Sequence, residues 1–483
     1  MAGRRVNGVW LLLIGVVIWW SPARSAAENQ SPHVVIILVD DMGFGDPPSF
    51  NPDSKIPMPH IDAIARGGMR FTDAHAPGPL CHLSRYGLMT GEYPFRANPG
   101  AWSRQPVIDA EDPTIASLAR QVGYTTAMVG KWHLGFEERG YDKPMRGGPV
   151  DRGFDTFFGI RASTDIPPYF YIRGDRATHA PINHIEENHS PGWSPIQGAF
   201  WRAGGIAPDL KLEEVLPRFT DEAIAVIDRH ASTGEDRPLL LYLALPAPHT
   251  PWLPSPEFKG RSGAGMYGDF AMMVDAQIGR VDRALARHGM VDNTLLIFTS
   301  DNGPVWYEQD VARFQHDSAG GLRGMKADAW EGGHRMPFIA RWPNRIAAQS
   351  VSDHTICFTD IMATLCDIWQ MPLPADAGED SFSFYSVLTG TDPHPPRAPI
   401  VMEAGAKGTF MIRDGRWKLI NQLGSGGFSQ PKRVTPEPGD PPGQLYDLQT
   451  DRAERRNLYA DHPQVVAELT RKMDSIRQAG RSR

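Results

Sequence analysis

The chain has 483 residues, 41% of them hydrophobic, a length that fits one large domain with a smaller appendage. Its formal net charge of −7 is modest and no run of Lys or Arg stands out, which argues against nucleic acid as a partner. An acidic ligand would have to be met by a local basic pocket.

Residues 1–25 have the pattern of a secretory signal peptide. Arg4 and Arg5 precede an apolar run over residues 9–20, and Ala23-x-Ser25 fits a small-residue cleavage site. A single-span anchor is the alternative, but the run is short for a membrane span of ~20 residues. We therefore predict cleavage near Ala26, export to the periplasm or the cell exterior, and no stable membrane span after cleavage.

Three continuous apolar runs predict strands buried on both faces, over residues 34–39, 239–244 and 295–299. Between them, apolar residues at helical spacing predict helices over 114–122, 219–230 and 270–288. This alternation predicts an α/β fold with a large, mainly parallel central sheet flanked by helices. Its functional groups are expected beyond the carboxyl ends of the strands.

A Pro-rich break over 392–396 predicts a boundary between a large domain, residues 32–395, and a small subdomain, residues 396–483. Residues 409–420 predict a β-hairpin with an Asp-Gly turn, and residues 444–448 predict a further short strand. Residues 465–476 predict a closing amphipathic helix. The C-terminal part is therefore expected to be a small α+β subdomain with an antiparallel sheet.

The cysteine pattern predicts a free thiol. Three cysteines cannot all pair, and if Cys357 and Cys366 lie on one helix they are roughly 13 Å apart, beyond the ~7 Å limit for a disulfide. We therefore expect stability to rest on the hydrophobic core and Cys81 to be left unpaired for chemistry.

Acidic and amide side chains follow two of the predicted strands. Asp40 and Asp41 come directly after the first strand, and Asp301 and Asn302 follow the strand at 295–299. A lone Asp pair at a strand end is most often a solvated turn, but two such elements on one sheet edge deliver several oxygens to one place. Oxygen ligands select a hard cation, so we predict Ca²⁺, with Mg²⁺ as the alternative.

Basic and imidazole groups occur in three Gly- or Pro-rich segments. In an extended Gly130–Gly135 segment, Lys131 and His133 face the same way while Trp132 packs behind them. His249 lies between two prolines, and Lys326 lies in a glycine-rich loop where it can approach an anion. Each has an ordinary alternative, a turn-capping His or a solvated surface charge.

Together, six blocks resemble the successive motifs of the type I, formylglycine-dependent sulfatases, which are arylsulfatase-like members of the alkaline phosphatase superfamily. The match covers residues 33 to about 345, and chance agreement of all six is improbable. In the order of that family, the blocks are Asp40-Asp41-Met42-Gly43-Phe44-Gly45-Asp46, Cys81-His82-Leu83-Ser84-Arg85 with Thr90-Gly91, Gly130-Lys131-Trp132-His133-Leu134-Gly135, His249-Thr250-Pro251, Ser300-Asp301-Asn302-Gly303, and Arg323-Gly324-Met325-Lys326 with Trp330-Glu331-Gly332-Gly333.

The resemblance implies that Cys81 is oxidised to formylglycine by a formylglycine-generating enzyme, and that the aldehyde hydrate attacks sulfur. This chain has Leu83 where the family pattern has Pro or Ala, a position that the oxidising enzyme reads. We therefore expect slower or incomplete maturation rather than none.

The resemblance also implies a role for each site residue. Asp40, Asp41, Asp301 and Asn302 hold the divalent cation together with an oxygen from matured Cys81, and Arg85 orients the hydrate. Lys131, His249 and Lys326 bind the sulfate oxygens, and His249 protonates the leaving alcohol. His133 later takes a proton from the remaining hydroxyl and so expels sulfate.

The sequence therefore predicts a sulfuric ester hydrolase that acts on a sulfated small molecule or on a sulfated glycan, which fits an exported enzyme better. One alternative is a phosphoester hydrolase of the same superfamily, and another is a non-catalytic sulfoglycan-binding protein in which Cys81 stays unmodified. The aromatic and His-rich stretch over residues 166–193 fits either a sugar-binding insertion or an ordinary packed loop.

Overall fold

The computed structural model describes residues 1–3, 5, 31–234 and 236–483, so the predicted signal peptide lies almost wholly outside the described residues. Within those ranges, no helix combines the length and the apolar character that a membrane crossing requires. Residues 32–483 form one unit, and the fold described below is that of this unit.

The strands of this unit differ greatly in length, and the longest lie at the centre of its main sheet. They are β1 (His33–Asp40), β2 (Met69–Phe71), β3 (Ala74–His75), β4 (Thr125–Lys131), β5 (Thr156–Ile160), β6 (Ile172–Arg173), β7 (Arg176–Ala177), β8 (Asn183–Ile185), β9 (Gly204–Ile206), β10 (Leu239–Pro248), β11 (Thr294–Ser300), β12 (Phe338–Arg341), β13 (Ser350–Ser352), β14 (Ile356–Cys357), β15 (Ile400–Glu403), β16 (Phe410–Asp414), β17 (Trp417–Ile420) and β18 (Gln444–Asp447).

The α-helices cover the main sheet and close the C-terminal part. They are α1 (Pro59–Arg66), α2 (Cys81–Thr90), α3 (Ile115–Gln121), α4 (Val215–Ser232), α5 (Gly265–Arg287), α6 (Glu308–Phe314), α7 (Glu331–His334), α8 (Asp360–Ile368), α9 (Tyr385–Thr389) and α10 (Pro463–Gln478).

The main sheet joins ten of the described strands in the order β13-β2-β12-β11-β1-β10-β4-β5-β6-β7. Its five inner strands, β11-β1-β10-β4-β5, are all paired in parallel, whereas β12, β6 and β7 run antiparallel to their neighbours. The predicted α/β fold with a mainly parallel sheet is confirmed. Parallel pairing brings the carboxyl ends of β1, β4, β10 and β11 to one edge of the sheet.

Buried apolar runs explain why the central strands form where the sequence predicts them. The six residues from Val34 to Val39 in β1 are fully buried, as expected for a strand covered on both faces. Helix α3 begins where predicted because Thr114 and Ser117 form a capping box, with Thr114 accepting from the Ser117 N–H at 3.0 Å. Burial therefore explains where β1 forms, and capping explains where α3 begins.

The C-terminal residues form the predicted small antiparallel sheet, β15-β16-β17-β18, closed by α10. The hairpin between β16 and β17 turns at Gly415, whose φ of 53° lies in the left-handed region. The core of this sheet also contains Tyr93 and Trp330 from the larger part of the chain. The two parts therefore share buried side chains.

A buried ion-pair network joins the same two parts. Lys418 on β17 contacts Glu331 of α7 at 3.0 Å and Glu454 at 2.9 Å, and Glu331 contacts Arg335 at 2.9 Å. His334 lies 3.1 Å from the Lys418 ammonium. Because buried charges need partners, each member of this network requires the others.

The cysteines are free, and Cys357 and Cys366 do not share a helix, so the distance expected for a common helix does not apply. Cys357 is the last residue of β14, and Cys366 lies in α8, which begins after a short turn. Cys81, Cys357 and Cys366 are all buried and unpaired with one another.

Candidate active site

A cavity of about 270 Å³ opens at the carboxyl ends of the parallel strands. Its lining includes Asp41, Cys81, His133, His249 and Lys326, which the sequence places in five separate blocks. Segments far apart in the chain meet here because β1, β10 and β4 are adjacent and parallel. Five of the sequence-predicted site residues thus line one cavity, and the others are fully buried, namely Asp40, Arg85, Lys131, Asp301 and Asn302.

Gly130 makes this convergence possible next to Lys131. A side chain at Gly130 would place its Cβ 1.9 Å from the Ala244 carbonyl oxygen of β10, and the φ of Gly130 is 117°. Only glycine tolerates both that approach and that backbone conformation. Lys131, at the end of β4, is therefore held beside Asp40 at the end of β1.

Cys81 is the first residue of α2, and its side chain lines the cavity. Burial, opposed by Lys131 and Lys326 and reinforced by Asp40, raises the pKa of the Cys81 thiol to about 12. At neutral pH the unmodified side chain is therefore a neutral thiol, the weakly reactive form of cysteine.

The residues after Cys81 fix the start of α2. Ser84 donates through its hydroxyl to the Gly78 carbonyl at 2.9 Å and also to the Asp301 carbonyl. Leu83 packs closely on Gly78: a Cβ added to residue 78 would lie 2.8 Å from the Leu83 Cβ. Counting from the start of α2, Ser84 is the first residue whose backbone N–H donates to a carbonyl before the helix, that of Leu80. The N–H of Leu83 lies in the uncapped first turn, where proline is tolerated.

Oxygen atoms suited to a hard cation collect beside Cys81. Asp40 Oδ1 and Asn302 Oδ1 are buried without a hydrogen-bond partner among the described residues, and Asp301 contributes a third fully buried oxygen donor. Ligand atoms of Asp40, Asp41, Cys81 and His249 lie within 4.8 Å of one another. Because orphaned buried oxygens are costly, this donor set fits a divalent cation such as Ca²⁺ or Mg²⁺.

Asp41 occupies an unusual backbone position at this cluster. Its φ of 64° lies in the left-handed region, which Asp and Asn tolerate better than other non-glycine residues. This turn places its carboxylate where Asn302 donates to Oδ1 at 2.6 Å and Lys326 donates to both oxygens at 2.6 and 2.8 Å.

Three permanent cations face the three carboxylates. Arg85 donates to Asp301 Oδ2 at 2.7 Å, to Asp40 Oδ2 at 3.3 Å and to the Lys131 carbonyl at 2.9 Å. Lys131 donates to Asp40 Oδ2 at 2.5 Å. The charges balance within the protein, so an added divalent cation would leave the site positive and able to bind an anion.

The shared charge of this cluster moves the pKa values of its two central carboxyl groups apart. Burial raises the pKa of Asp40, but Lys131, His249 and Arg85 outweigh it and hold that pKa well below its usual range. Burial and the neighbouring Asp40 raise the pKa of Asp301 to about 6. Asp301 is therefore the carboxyl group that titrates in the mildly acidic range.

His249 follows β10 and presents its two nitrogens to different partners. Nδ1 donates to the Thr250 carbonyl at 2.7 Å, which fixes the proton on that nitrogen. Nε2 lies 3.6 Å from Asp41 Oδ2, on the side of the carboxylate cluster. The ring can therefore give a proton toward the site from Nε2 when it is doubly protonated.

His133 lines the cavity but not by the extended geometry that we expected for residues 131–133. Its φ of 61° shows that the chain turns after Lys131, where β4 ends, so strand alternation does not orient its ring. Trp102 packs edge-on at 4.2 Å between ring centroids, and both ring nitrogens of His133 lack a partner among the described residues. Burial, then Lys131 and His82, lowers the pKa of His133 well below its usual value.

Sequence reasoning assigned no role to several residues that line the cavity. Ser163 accepts from Lys131 Nζ at 2.6 Å, and Asp165 lies on the same loop. Both follow β5, whose short Phe-Phe-Gly-Ile run beside a polar Ser-Thr-Asp sequence was the available signal. Trp102 also lines the cavity, and no motif marks it. His82 lines the cavity from within the Cys81 motif block, where sequence reasoning gave it no role.

The aromatic stretch over residues 166–193 contributes mainly to the core. Tyr169, Phe170 and Tyr171 are buried in the hydrophobic core, and Trp193 packs partly buried against Trp252 at 4.9 Å. Ile166 lines the cavity.

Comparison with known proteins identifies the family. A family model described as Sulfatase matches residues 32–371. An N-acetylgalactosamine-6-O-sulfatase from Bacteroides thetaiotaomicron is 32% identical, covering 93% of this chain and 94% of the relative. Arylsulfatase A from Homo sapiens is 30% identical, covering 90% of this chain and 85% of the relative. A solved structure from work on the metabolism of multiple glycosaminoglycans by Bacteroides thetaiotaomicron has a TM-score of 0.80 at 31% identity, covering 93% of this chain and 99% of that one.

The chain therefore belongs to the sulfatase family, within the alkaline phosphatase superfamily. The resemblance drawn from the six sequence blocks is confirmed. The protein is an enzyme, a sulfuric ester hydrolase, and its cavity contains a cluster of residues able to hold a metal ion.

Proposed function

We propose that this sulfatase releases sulfate from a sulfated glycan by means of formylglycine at position 81 and a bound divalent cation. The observation that carries the proposal is the position of Cys81, at the first residue of α2 and inside the cavity that Asp41, His249 and Lys326 also line. A neutral buried thiol is a poor nucleophile in that place, whereas a hydrated aldehyde there would supply the hydroxyl that attacks sulfur.

The cation site of the proposal comprises Asp40, Asp41, Asp301, Asn302 and the side chain at position 81. The unpartnered oxygens of Asp40 and Asn302 support it, and a bound Ca²⁺ or Mg²⁺ would supply Lewis acidity toward the nucleophile and the sulfate group. We favour Ca²⁺ because it tolerates the irregular geometry of a strand-end cluster.

The fixed cations of the site bind the sulfate group. Lys326 lines the cavity and Lys131 is buried next to Asp40, and each donates to a carboxylate of the cluster, so their charges are in place before the sulfate group binds. Arg85 binds Asp301 and Asp40 from the same helix that carries position 81. It therefore holds the nucleophile and the carboxylates in one arrangement.

Two histidines handle the protons. His249 donates from Nε2 to the oxygen of the leaving alcohol, because its Nδ1 proton is already held by the Thr250 carbonyl. His133 is neutral, since its pKa is low, and its nitrogens are unpartnered, so it can accept a proton at the hydroxyl of residue 81. That transfer accompanies the departure of sulfate and restores the aldehyde.

An aromatic ring at the rim of the cavity supports a sugar as the substrate. Phe428, on a C-terminal loop, lines the cavity and keeps 36% of its surface exposed, as a ring that stacks on a sugar face does. Ser429 anchors this loop by donating to Asp328 at 3.0 Å, two residues from Lys326. The relative from Bacteroides thetaiotaomicron makes N-acetylgalactosamine 6-sulfate the first sugar to test.

The proposal also includes export and maturation of the chain, which precede catalysis. Residues 1–25 direct export to the periplasm or the cell exterior and are removed, and a formylglycine-generating enzyme converts Cys81. Residues 32–395 form the catalytic domain and residues 396–483 the C-terminal subdomain, which supplies Phe428 to the cavity rim.

The test combines mass spectrometry with sulfate release. Peptide mass spectrometry of the native protein should find the aldehyde at position 81, and the protein should release sulfate from N-acetylgalactosamine 6-sulfate or another member of a panel of sulfated mono- and disaccharides. Cys81→Ala should abolish release, while the matched Cys366→Ala, another buried free cysteine, should retain it. Unmodified thiol in an active protein, or full activity of Cys81→Ala, would contradict the proposal.

A phosphoester hydrolase of the same superfamily is the alternative, because phosphate and sulfate esters share charge and shape. The buried lysines Lys131 and Lys326 provide fixed charge in the positions where a second metal would otherwise be needed. We therefore expect kcat/KM for 4-nitrophenyl sulfate to exceed that for 4-nitrophenyl phosphate. The reverse order would favour the alternative.

A further inference from the structure

We propose that Asp165 is a specificity-determining residue that binds a free hydroxyl of the substrate beside the sulfated position. This inference rests on the proposed function, and it adds the substrate feature that the cavity recognises: a sulfated sugar with a neighbouring hydroxyl, not a sulfate ester in general. Asp165 lies outside the six motif blocks and outside the cation cluster.

The two oxygens of Asp165 have different environments. The side chain is 6% exposed, and Oδ2 forms an ion pair with Arg202. Oδ1 is buried and has no hydrogen-bond partner among the described residues, although Asp165 lines the cavity. A buried carboxylate oxygen without a partner is a strong hydrogen-bond acceptor. Pairing it with a ligand hydroxyl is favourable, because an unsatisfied buried acceptor costs free energy.

His249 is not the donor that Oδ1 lacks. The two atoms are 3.9 Å apart, beyond hydrogen-bond distance, and the Nδ1 proton of His249 is already donated to the Thr250 carbonyl. Asp165 is therefore a neighbour of His249 without being its hydrogen-bond partner.

The position of Oδ1 indicates which substrate group it meets. His249 points Nε2 toward Asp41 and Nδ1 toward Asp165, so Oδ1 lies across the imidazole ring from the carboxylate cluster. An alcohol oxygen protonated at Nε2 and a hydroxyl bound at Oδ1 then lie on opposite sides of the ring, several ångströms apart. Hydroxyl groups close to the sulfated carbon of one sugar fit that spacing.

Arg202 fixes the direction of this acceptor. Its guanidinium holds Oδ2 and also donates to the Asp165 carbonyl at 3.2 Å, while Tyr169 donates to the Arg202 carbonyl at 2.7 Å. The Arg202 side chain is 49% exposed and lies over the Phe200 ring at 5.0 Å, so it borders the cavity entrance. With Oδ2 held in this way, Oδ1 is the oxygen left for a ligand.

The first experiment compares substrates with and without the hydroxyl. Asp165→Asn keeps the shape, but its amide oxygen will turn to Arg202 and present NH₂ where the acceptor was. We expect kcat/KM for N-acetylgalactosamine 6-sulfate to fall roughly 10- to 100-fold, the range for a hydrogen bond to a charged group. For 4-nitrophenyl sulfate, which has no such hydroxyl, we expect a change of less than about threefold. Asp209→Asn, at a carboxylate paired with His179 on the surface, is the matched control and should leave both values unchanged.

A substrate lacking the hydroxyl completes the comparison. The 4-deoxy analogue of the same sugar should lose a similar factor with the wild-type enzyme and no further factor with Asp165→Asn. A further loss with the variant, or an equal loss on 4-nitrophenyl sulfate, would overturn the assignment and give Asp165 a role in positioning His249.

A binding measurement separates this inference from the proposed function. In the Cys81→Ala protein, which needs no maturation, Asp165→Asn and Asp165→Ala should each weaken the binding of N-acetylgalactosamine 6-sulfate and leave the binding of inorganic sulfate unchanged. Equal weakening of both ligands would overturn the inference. If wild-type protein instead releases no sulfate from any ester while the binding difference persists, the proposed reaction is wrong and the hydroxyl site stands.

Discussion

Calcium binding should weaken as the pH falls, because Asp301 must lose a proton to serve as a ligand. Its pKa is raised to about 6 by burial and by Asp40. Roughly a tenth of Asp301 is then ionised at pH 5 and roughly nine tenths at pH 7, so the apparent affinity for Ca²⁺ should fall about tenfold between those values. Asp40 adds no step in this range because the cations around it keep it ionised.

The sign of the stability change provides the assay. In the metal-free protein the folded state favours protonated Asp301, so the stabilisation from this group is complete below about pH 4 and is lost as the pH rises through about 6. Calcium adds stabilisation that grows with the ratio of its concentration to Kd. The increase in Tm on adding excess CaCl₂ should therefore be larger at pH 7 than at pH 5, with chelated protein as the reference. Asp301→Asn should remove this difference. An increase in Tm that is equal at both pH values in the wild type would refute the reasoning.

Three further changes test other parts of the structure. His249→Ala should cost much more activity, about 10²-fold or more, on a sugar sulfate than on 4-nitrophenyl sulfate, whose alcohol leaves readily; equal losses would make His249 an anion ligand. Leu83→Pro should raise the fraction of aldehyde at position 81, measured by peptide mass spectrometry, because the N–H it removes lies in the uncapped first turn of α2 and the fixed φ favours capture by the maturation enzyme; an unchanged or lower fraction would contradict this. Burial raises the pKa of Asp275, which accepts from the Ile61 N–H at 2.7 Å, to about 7. The Tm of the wild type relative to Asp275→Asn should therefore fall between pH 4 and pH 7, and a rise would show the opposite shift.

The sheet was predictable because its central strands are buried on both faces. Runs such as Val34–Val39 need no partner residue to be recognised, and each was found within a few residues of its true bounds. The strand ends then identified Asp40 and Asp301, since parallel strands bring their carboxyl ends together. The motif residues of the site followed from the same rule and from the resemblance.

The remaining residues depend on contacts that no local pattern reveals. Asp165 borders the cavity because the loop after β5 packs beside His249, 84 positions later in the chain. Trp102 contacts His133 from a short turn with no periodicity, and the turn at His133 overrides the extended geometry that its strand suggested. Phe428 approaches from the loop between β17 and β18. Spacing along the sequence carries no information about such approaches between separate segments.

The buried ion-pair network around Lys418 affects how this enzyme unfolds. Because Lys418 from the small sheet contacts Glu331 of the large part, separating the two sheets would expose hydrophobic core and break this buried ion pair in the same event. Partial opening is thus penalised twice, and heating should melt both sheets in a single cooperative transition instead of releasing the small one first. The Trp330-Glu331 block, recognised by its likeness to a family motif, connects the large part of the fold to the small sheet through buried contacts.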